Sequence, residues 1–403
     1  MNYTFVSADC HMDLSWLPWD LFTKNAPAHL VDRVPHVIEA PTKENKYGLF
    51  NAVWVADGKE LGVYGGTGFG FGPPEKGVSA RTDRMWEAGY YDGDPHVINP
   101  ELRLKDLELD GPQAEMIYGM TGAGIKIKDP EVLTATYRIY NDWIADFCKT
   151  HPGRFYALAC VSIHDPKEAA SELRRAATLG PLRGVDLIAS EVTHPIYTRD
   201  GYWDPLWEAV AETQMPVSFH LGGARLPVPP PPGESTELGT LNLGRSMSQN
   251  ELAYQGTWLP LGMLSGSQWL AGIIMSGTCE NIPDFRFVMG EMGGSWIPFV
   301  LGRMDHIFHE RHLDEKFSPP MQLLPSEYWY RQGATTFQEE PEVGKMAHLI
   351  GVNNLMWGSD YPHPDGVWPD SKSVIQKTLG NLDEESFRKI TCDNAVKLYR
   401  MGE

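Results

Sequence analysis

The segment FVSADCHMD, close to the N-terminus, carries an aspartate and a histidine at the end of an apolar, strand-like run. Asp9 closes the run, and His11 follows two residues later. Because residues i and i+2 of an extended chain point to the same side, both side chains could reach one metal ion. The alternative is that Asp9 caps a turn and that His11 lies on the surface.

Two later segments end in the same types of side chain. His220 closes the run MPVSFH, where a structural histidine is the alternative, and Asp360 closes the run LMWGSD. A desolvated carboxylate such as that of Asp360 needs hydrogen-bond partners or a cation. Together with Asp9 and His11, these residues form a mixed nitrogen and oxygen set that suits Zn²⁺, Mn²⁺ or Fe²⁺ and suits copper poorly. The sequence therefore predicts one divalent ion, with zinc as the first choice.

Further candidates lie beside these segments. Glu291 ends the run FRFVMGE and is predicted to accept a proton or to orient a metal-bound water, with an outer-sphere or helix-capping carboxylate as the alternative. His363 follows Asp360 by three residues and could protonate a leaving group or bind a substrate carboxylate, unless it only fills a turn. Trp16 and Trp296 are candidate substrate-binding residues, with packing beneath loops as the alternative.

Two other motifs are interpreted as structural. In DHIFHERH, the three histidines His306, His309 and His312 recur at helical spacing, which is more typical of an exposed helix face than of a second metal site. The glycine-rich stretch Gly62–Pro74 contains G-x-G spacings but neither follows a clear strand nor opens a helix. It is therefore not interpreted as a phosphate-binding loop.

Eight short apolar runs alternate with segments of helical periodicity, as in parallel β/α proteins. The predicted strands are Thr4–Asp9, Ala114–Tyr118, Phe155–Val161, Arg183–Ile188, Pro216–His220, Phe285–Glu291, Ala334–Gln338 and Leu355–Asp360. The predicted helices include Val132–Thr150, Pro166–Thr178, Asp204–Glu212, Ile297–His312 and Asp383–Tyr399. We therefore expect one α/β domain over residues 1–403, a (β/α)8 TIM-type barrel with long insertions after strands 1 and 5, at about 14–100 and 222–256. Both insertions would leave the barrel mouth as lids or subunit contacts.

The amino-acid composition indicates which kinds of partner the protein can bind. The 53 acidic residues outnumber the 34 lysines and arginines, and the net charge of −19 opposes binding to nucleic acid or to anionic membranes. No segment approaches the ~20 apolar residues of a membrane span. We expect no secretion, because the first residues show no basic segment followed by an apolar run. The five scattered cysteines argue against disulfides and a structural zinc site. We expect a cytoplasmic protein with a small-molecule substrate, and a homo-oligomer, most simply a dimer.

The ordered motifs ADCHMD, VSFHLGG, GEMGGSWIPFVLGRMDH, MWGSDYPH and TCDNAVKLY span nearly the whole chain. They resemble the amidohydrolase-related family that contains aminocarboxymuconate-semialdehyde decarboxylase and the benzoate and resorcylate decarboxylases. The resemblance implies a (β/α)8 barrel with a single divalent ion at its mouth, held by Asp9, His11, His220 and Asp360. Many relatives have H-x-H where this chain has D-x-H, and the decarboxylases usually carry a histidine at the position of Glu291.

Several reactions remain open. The first expectation is hydrolysis of a small carboxylated or aromatic compound by a metal-activated water, with Asp360, Glu291 and His363 as catalytic residues. No G-x-S-x-G nucleophile competes with this scheme. Non-oxidative decarboxylation is the main alternative. An oxygenase that uses a redox-active ion and a catalytically silent partner subunit are further alternatives on the same fold.

Overall fold

The computed structural model describes residues 2–39, 52–64, 80–87, 90, 96–124, 126–187, 194–221, 249–363 and 365–403. The strands of this part are, in chain order, β1 (Val6–His11), β2 (His36–Glu39), β3 (Ala52–Ala56), β4 (Lys59–Val63), β5 (Ala114–Tyr118), β6 (Phe155–Cys160), β7 (Leu182–Leu187), β8 (Val217–His220), β9 (Phe287–Gly290), β10 (Gly333–Phe337) and β11 (Leu355–Trp357). Eight of them form one parallel sheet in the order β1-β5-β6-β7-β8-β9-β10-β11. Connections between parallel neighbours require crossovers, and here the crossovers are mostly helical.

The helices that surround the sheet, with the short helices of the loops, complete the α/β pattern. In chain order they are α1 (Leu21–Asn25), α2 (Ala80–Glu87), α3 (Pro100–Asp110), α4 (Thr121–Gly124), α5 (Pro130–Lys149), α6 (Pro166–Ala177), α7 (Asp204–Thr213), α8 (Gln249–Gly262), α9 (Gly266–Met275), α10 (Thr278–Asn281), α11 (Ile297–Glu310), α12 (Leu313–Lys316), α13 (Pro325–Gln332), α14 (Pro341–Ile350), α15 (Ser371–Leu379), α16 (Glu384–Arg388) and α17 (Asn394–Leu398). Among the described residues, no helix combines the length and the apolar character that crossing a bilayer requires.

The first and last strands of the sheet meet and nearly close it into a barrel. Cys10 forms a parallel bridge with Tyr361. The Asp360 N–H donates to the Asp9 carbonyl at 2.8 Å, and the His11 N–H donates to the Tyr361 carbonyl at 2.7 Å. This close approach requires a glycine at position 358, since a Cβ atom on Gly358 would lie 2.4 Å from the Asp9 Cβ. The expectation of a TIM-type (β/α)8 barrel is confirmed.

The boundaries differ from the prediction mainly at the strand ends. β1 continues through His11, because the last residues of the strand pair with the chain around Tyr361. The eighth barrel strand ends at Trp357, so Asp360 lies in the following loop. The single helix predicted for Asp383–Tyr399 is divided by a π-helical turn, Lys389–Asp393.

A β-bulge determines which side chains of β1 face the barrel interior. The register against β5 shifts between Ser7 and Cys10, so one extra residue is accommodated there. Before the bulge, Val6 and Ala8 belong to a core cluster that draws residues from strands all round the barrel. Only the interior can bring such residues together. After the bulge, Cys10 belongs to the cluster shared with the helices, and we infer that Asp9 and His11 therefore face inward.

The first insertion adds a small antiparallel sheet, in the order β2-β3-β4, beside the barrel. It also contains α1 and α2, and α3 follows it. The second predicted insertion falls mainly on residues 222–248, and the glycine-rich stretch falls mainly on residues 65–79. Both lie outside the described residues.

A buried ion pair anchors the end of β1. The Arg103 guanidinium on α3 donates to the Glu115 carboxylate at 2.5 Å and to the His11 carbonyl at 3.0 Å. Arg103 is 0% exposed and Glu115 is 1% exposed. The pair therefore connects α3, β5 and the backbone of a candidate metal ligand.

We expect Glu115→Gln to destabilise the fold by about 3–5 kcal/mol, because the substitution leaves the Arg103 cation buried without a counter-charge. Glu108→Gln is the matched control, since Glu108 is exposed and its pair with Arg154 contributes at most about 1 kcal/mol. Denaturant unfolding followed by circular dichroism measures both changes. Equal effects of the two substitutions would contradict the anchoring role of the buried pair.

Candidate metal centre

The end of β1 places two candidate ligands at the barrel mouth. Asp9 is 0% exposed and His11 is 2% exposed. The His11 Nε2 atom lies 3.5 Å from Asp9 Oδ1 and 3.2 Å from Asp360 Oδ1. The predicted pair on the first strand and the predicted aspartate of the eighth are therefore brought together around one imidazole nitrogen.

His220 approaches the same point from the end of β8. Its Nδ1 atom lies 2.9 Å from the Leu221 carbonyl and can donate to it, which leaves Nε2 directed at the carboxylates. Nε2 lies 3.6 Å from Asp9 Oδ1 and 3.4 Å from Glu291 Oε2. Burial would lower the pKa of His220, but the Asp9 and Glu291 carboxylates outweigh burial and raise this pKa to about 10. A place that favours positive charge so strongly also attracts a metal cation.

Glu291 and Asp360 occupy left-handed backbone conformations. Their φ angles are 54° and 56°, which non-glycine residues rarely adopt. Each residue follows the end of a barrel strand, β9 or β11. Strained backbone of this kind persists where the surrounding structure enforces it and is common at functional sites. The two turns deliver both carboxylates to the barrel mouth.

Asp13 is a member of the cluster that the sequence analysis missed. Its Oδ2 atom lies 2.7 Å from His363 Nε2, while His363 Nδ1 lies 3.0 Å from Asp360 Oδ1. The His363 ring also stacks on the His11 ring at a centroid distance of 3.9 Å. Asp9, His11 and Asp13 continue the same i, i+2 alternation, so the pattern that suggested the first two residues could have included the third.

The charges of the cluster shift its titration in opposite directions. Burial would raise the pKa of Asp9 and that of Asp360, but neighbouring histidines outweigh it and hold both below the usual range. Burial and then the Asp360 charge raise the pKa of Glu291 well above its usual range. Burial would lower the pKa of His363, but Asp360 and Asp13 raise it well above the ordinary value.

The ligand atoms that point into this cluster fit a cation. Asp9 Oδ1, both His11 ring nitrogens, His220 Nε2 and Asp360 Oδ2 are buried and have no hydrogen-bond partner among the described residues. Buried polar atoms are rarely left unpaired, because the loss of their solvation destabilises the fold. Two groups of possible ligands share His11: Asp9 with His220, and Glu291 with Asp360 and His363. Mixed nitrogen and oxygen donors of this kind suit a divalent transition ion.

Thr336 on β10 orients one of these ligands. Its hydroxyl donates to Asp9 Oδ2 at 2.5 Å and accepts the Glu291 N–H at 2.6 Å. Asp9 Oδ1 is thereby left to face the cluster. The hydroxyl of Thr336 connects a candidate ligand to the turn that carries Glu291.

The aromatic candidates fall into two groups. Trp16 is buried with its ring centroid 6.4 Å from that of His363, beside the cluster. Trp296 is half-buried, and its indole N–H donates to the Met292 carbonyl at 2.7 Å.

The helix α11 carries His306 and His309, and His312 lies just beyond it. All three histidines are exposed, and among the described residues none belongs to a possible metal site.

The barrel fold agrees with the comparison with known proteins. The family model Amidohydro_2, described as amidohydrolase, matches residues 9–401. This chain belongs to the amidohydrolase family.

Three relatives illustrate what the chain is similar to. The gamma-resorcylate decarboxylase of Rhodococcus jostii (strain RHA1) is 25% identical over 324 residues, which cover 75% of this chain and 87% of the relative. An amidohydrolase from Mycobacterium avium subsp. paratuberculosis K-10 superposes with a TM-score of 0.68 at 18% identity and covers 99% of this chain and 100% of its own. The dihydroxybenzoic acid decarboxylase of Polaromonas sp. JS666, with bound manganese and 2-nitroresorcinol, has a TM-score of 0.57 at 18% identity, over 81% of this chain and 95% of its own.

We expect Thr336→Val to weaken divalent metal binding about 10- to 100-fold, because outer hydrogen bonds to ligands typically contribute this much to affinity. Thr336→Ser keeps the hydroxyl and should retain most of the affinity. Titration of the metal-free protein with Mn²⁺, followed by electron paramagnetic resonance of the free ion, measures both. Equal affinities of the Val and Ser variants would contradict the orienting role.

We expect His220→Ala to lose most of about one bound divalent ion per chain, because the substitution removes a nitrogen ligand. His306→Ala removes an exposed histidine and is the control. Elemental analysis of both purified variants, with circular dichroism as a check of the fold, tests the assignment. Undiminished metal in His220→Ala would refute it.

Proposed function

We propose that the protein is a metal-dependent decarboxylase of small aromatic carboxylic acids. The observation that carries the proposal is the set of unpartnered, buried ligand atoms at the barrel mouth. Hydrolysis was the first expectation from the sequence, but the named activities of the curated relatives favour decarboxylation instead. Decarboxylases of the same fold that are solved with manganese support a divalent ion, with manganese now as strong a candidate as zinc.

In this proposal Asp9, His11, His220 and Asp360 hold the ion. When bound, it would draw negative charge from a carboxylate oxygen of the substrate and from an oxygen on the neighbouring ring carbon. The Thr336 hydroxyl keeps Asp9 in position, and the Leu221 carbonyl fixes the orientation of His220. Trp16 provides an apolar wall against which an aromatic ring can pack.

Glu291 is the proposed proton donor. It takes the place where the decarboxylases of this family usually carry a histidine, and its carboxyl group is 3.4 Å from His220. Burial and the Asp360 charge raise its pKa, which favours the protonated form at neutral pH. The ring carbon gains this proton, the bond to the carboxylate breaks, its electron pair returns to the ring, and CO2 leaves. A proton from water then restores Glu291.

His363 contributes charge rather than proton transfer. Its two ring nitrogens face Asp13 and Asp360, whose charges favour the imidazolium form. A positive ring beside the cluster attracts an anionic substrate and holds the Asp360 carboxylate in place.

The test is an assay of the Mn²⁺-loaded protein with a panel of hydroxybenzoates in H2¹⁸O. We expect release of CO2 without incorporation of ¹⁸O into the aromatic product. Glu291→Gln should lower kcat about 10²- to 10⁴-fold and retain the metal, whereas the exposed Glu310→Gln should match the wild type. Incorporation of ¹⁸O without CO2 would favour hydrolysis, and a stable protein that binds no metal would favour a silent partner subunit.

A further inference from the structure

Gln338 follows Thr336, which contacts Asp9, by two residues, and it takes no part in the roles assigned above. It directly follows β10, and the Gly358 N–H donates to the preceding carbonyl, that of Phe337, at 3.0 Å. The alternate residues Ala334 and Thr336 face the barrel interior, Ala334 in the interior core and Thr336 against Asp9. Gln338 continues this alternation one step nearer the mouth.

The side chain of Gln338 is buried and unsatisfied. It is 6% exposed, and its amide nitrogen has no hydrogen-bond partner among the described residues. An amide of this kind destabilises a folded protein, because water no longer satisfies its N–H groups. A buried polar group that destabilises the fold and lies beside a candidate active site is expected to form its hydrogen bond with a ligand.

The donors around the cluster show which kind of ligand group is missing. The Thr336 hydroxyl is bonded to Asp9, and His220 Nδ1 is taken up by the Leu221 carbonyl. Both nitrogens of His363 face carboxylates. The carboxylates themselves, when ionised, only accept hydrogen bonds. Apart from the imidazoles assigned to the ion, the Gln338 amide is therefore a neutral donor without a partner among the described residues on this side of the barrel mouth.

We propose that Gln338 determines substrate specificity, with its amide N–H donating to an acceptor oxygen of the aromatic substrate, either of the carboxylate or of the adjacent hydroxyl group. This inference rests on the proposed function. It adds a binding contact just after the seventh barrel strand, β10, which is next to the strand that precedes Glu291. A substrate that lacks an acceptor oxygen in this position would leave the buried amide unpaired and be rejected.

The experiment compares Gln338→Met, which keeps the length of the side chain, with Gln338→Glu, which replaces the donor by an acceptor. Wild type and variants are loaded with Mn²⁺. Calorimetry then measures the Kd of 2-nitroresorcinol, which has no carboxylate to lose, and kcat/KM is measured with 2,6-dihydroxybenzoate. Gln376→Met, at an exposed position on α15, is the control.

We expect Gln338→Met to lower kcat/KM roughly 10- to 100-fold, as the loss of one hydrogen bond to a charged group predicts. The kcat/KM of Gln338→Glu should fall further, because its carboxylate repels the substrate oxygen. Neither variant should change the bound metal. The Tm of Gln338→Met should equal or exceed that of the wild type, since an unsatisfied polar group is removed.

Other outcomes separate the two proposals. If the wild type decarboxylates and Gln338→Met does so equally well, the inference fails and the proposed function stands. If Gln338→Met loses Tm together with activity, the amide has a structural partner and the inference fails. If the metal-loaded wild type neither binds 2-nitroresorcinol nor acts on the benzoate, both proposals fail.

Discussion

The closure of the barrel between β1 and the loop after β11 is the constraint on which the site depends. Backbone hydrogen bonds, including that from the Asp360 N–H to the Asp9 carbonyl, bring these two aspartates to the same imidazole of His11, and Gly358 permits the approach. Carboxylates forced together repel each other unless positive charge intervenes. Histidines supply part of that charge, and the unpaired atoms that remain are best explained by a cation. The hydrogen bonds that close the barrel therefore also position the candidate metal ligands.

Polar side chains from several elements surround this closure, and each holds a different part of it in place. The Arg103–Glu115 pair holds the backbone of β1 from outside the barrel, while Thr336 holds a β1 side chain from inside. Two left-handed turns carry the acids of the sixth and eighth barrel strands. Backbone strain at these turns is tolerable because the parallel sheet restrains both flanks. The strained turns, which destabilise the fold, therefore lie where the proposed chemistry needs a fixed geometry of the carboxylates.

The periodicity of apolar residues was sufficient to predict the eight barrel strands, because a buried parallel strand leaves a continuous hydrophobic run. The strand ends were predicted less well. The bulge before Asp9 and the turn at Asp360 depend on pairing with distant segments, which local sequence does not record. Asp13 followed the same alternation as His11 yet was overlooked. Thr336 and Gln338 could not be singled out, since the roles of a threonine on a strand and of a glutamine just after it depend on the residues that lie opposite them.

The hydroxyl of Thr336 has a further consequence. It touches Asp9 with its proton and the backbone of Glu291 with its oxygen, so neither can move alone. An ion of larger radius would push the Asp9 carboxylate outward, and the threonine would convey part of that displacement to the turn that presents Glu291. In the proposed enzyme, the choice of metal would therefore affect the position of the Glu291 acid. The protein could tune its reactivity to one ion over another without any change in the ligands themselves.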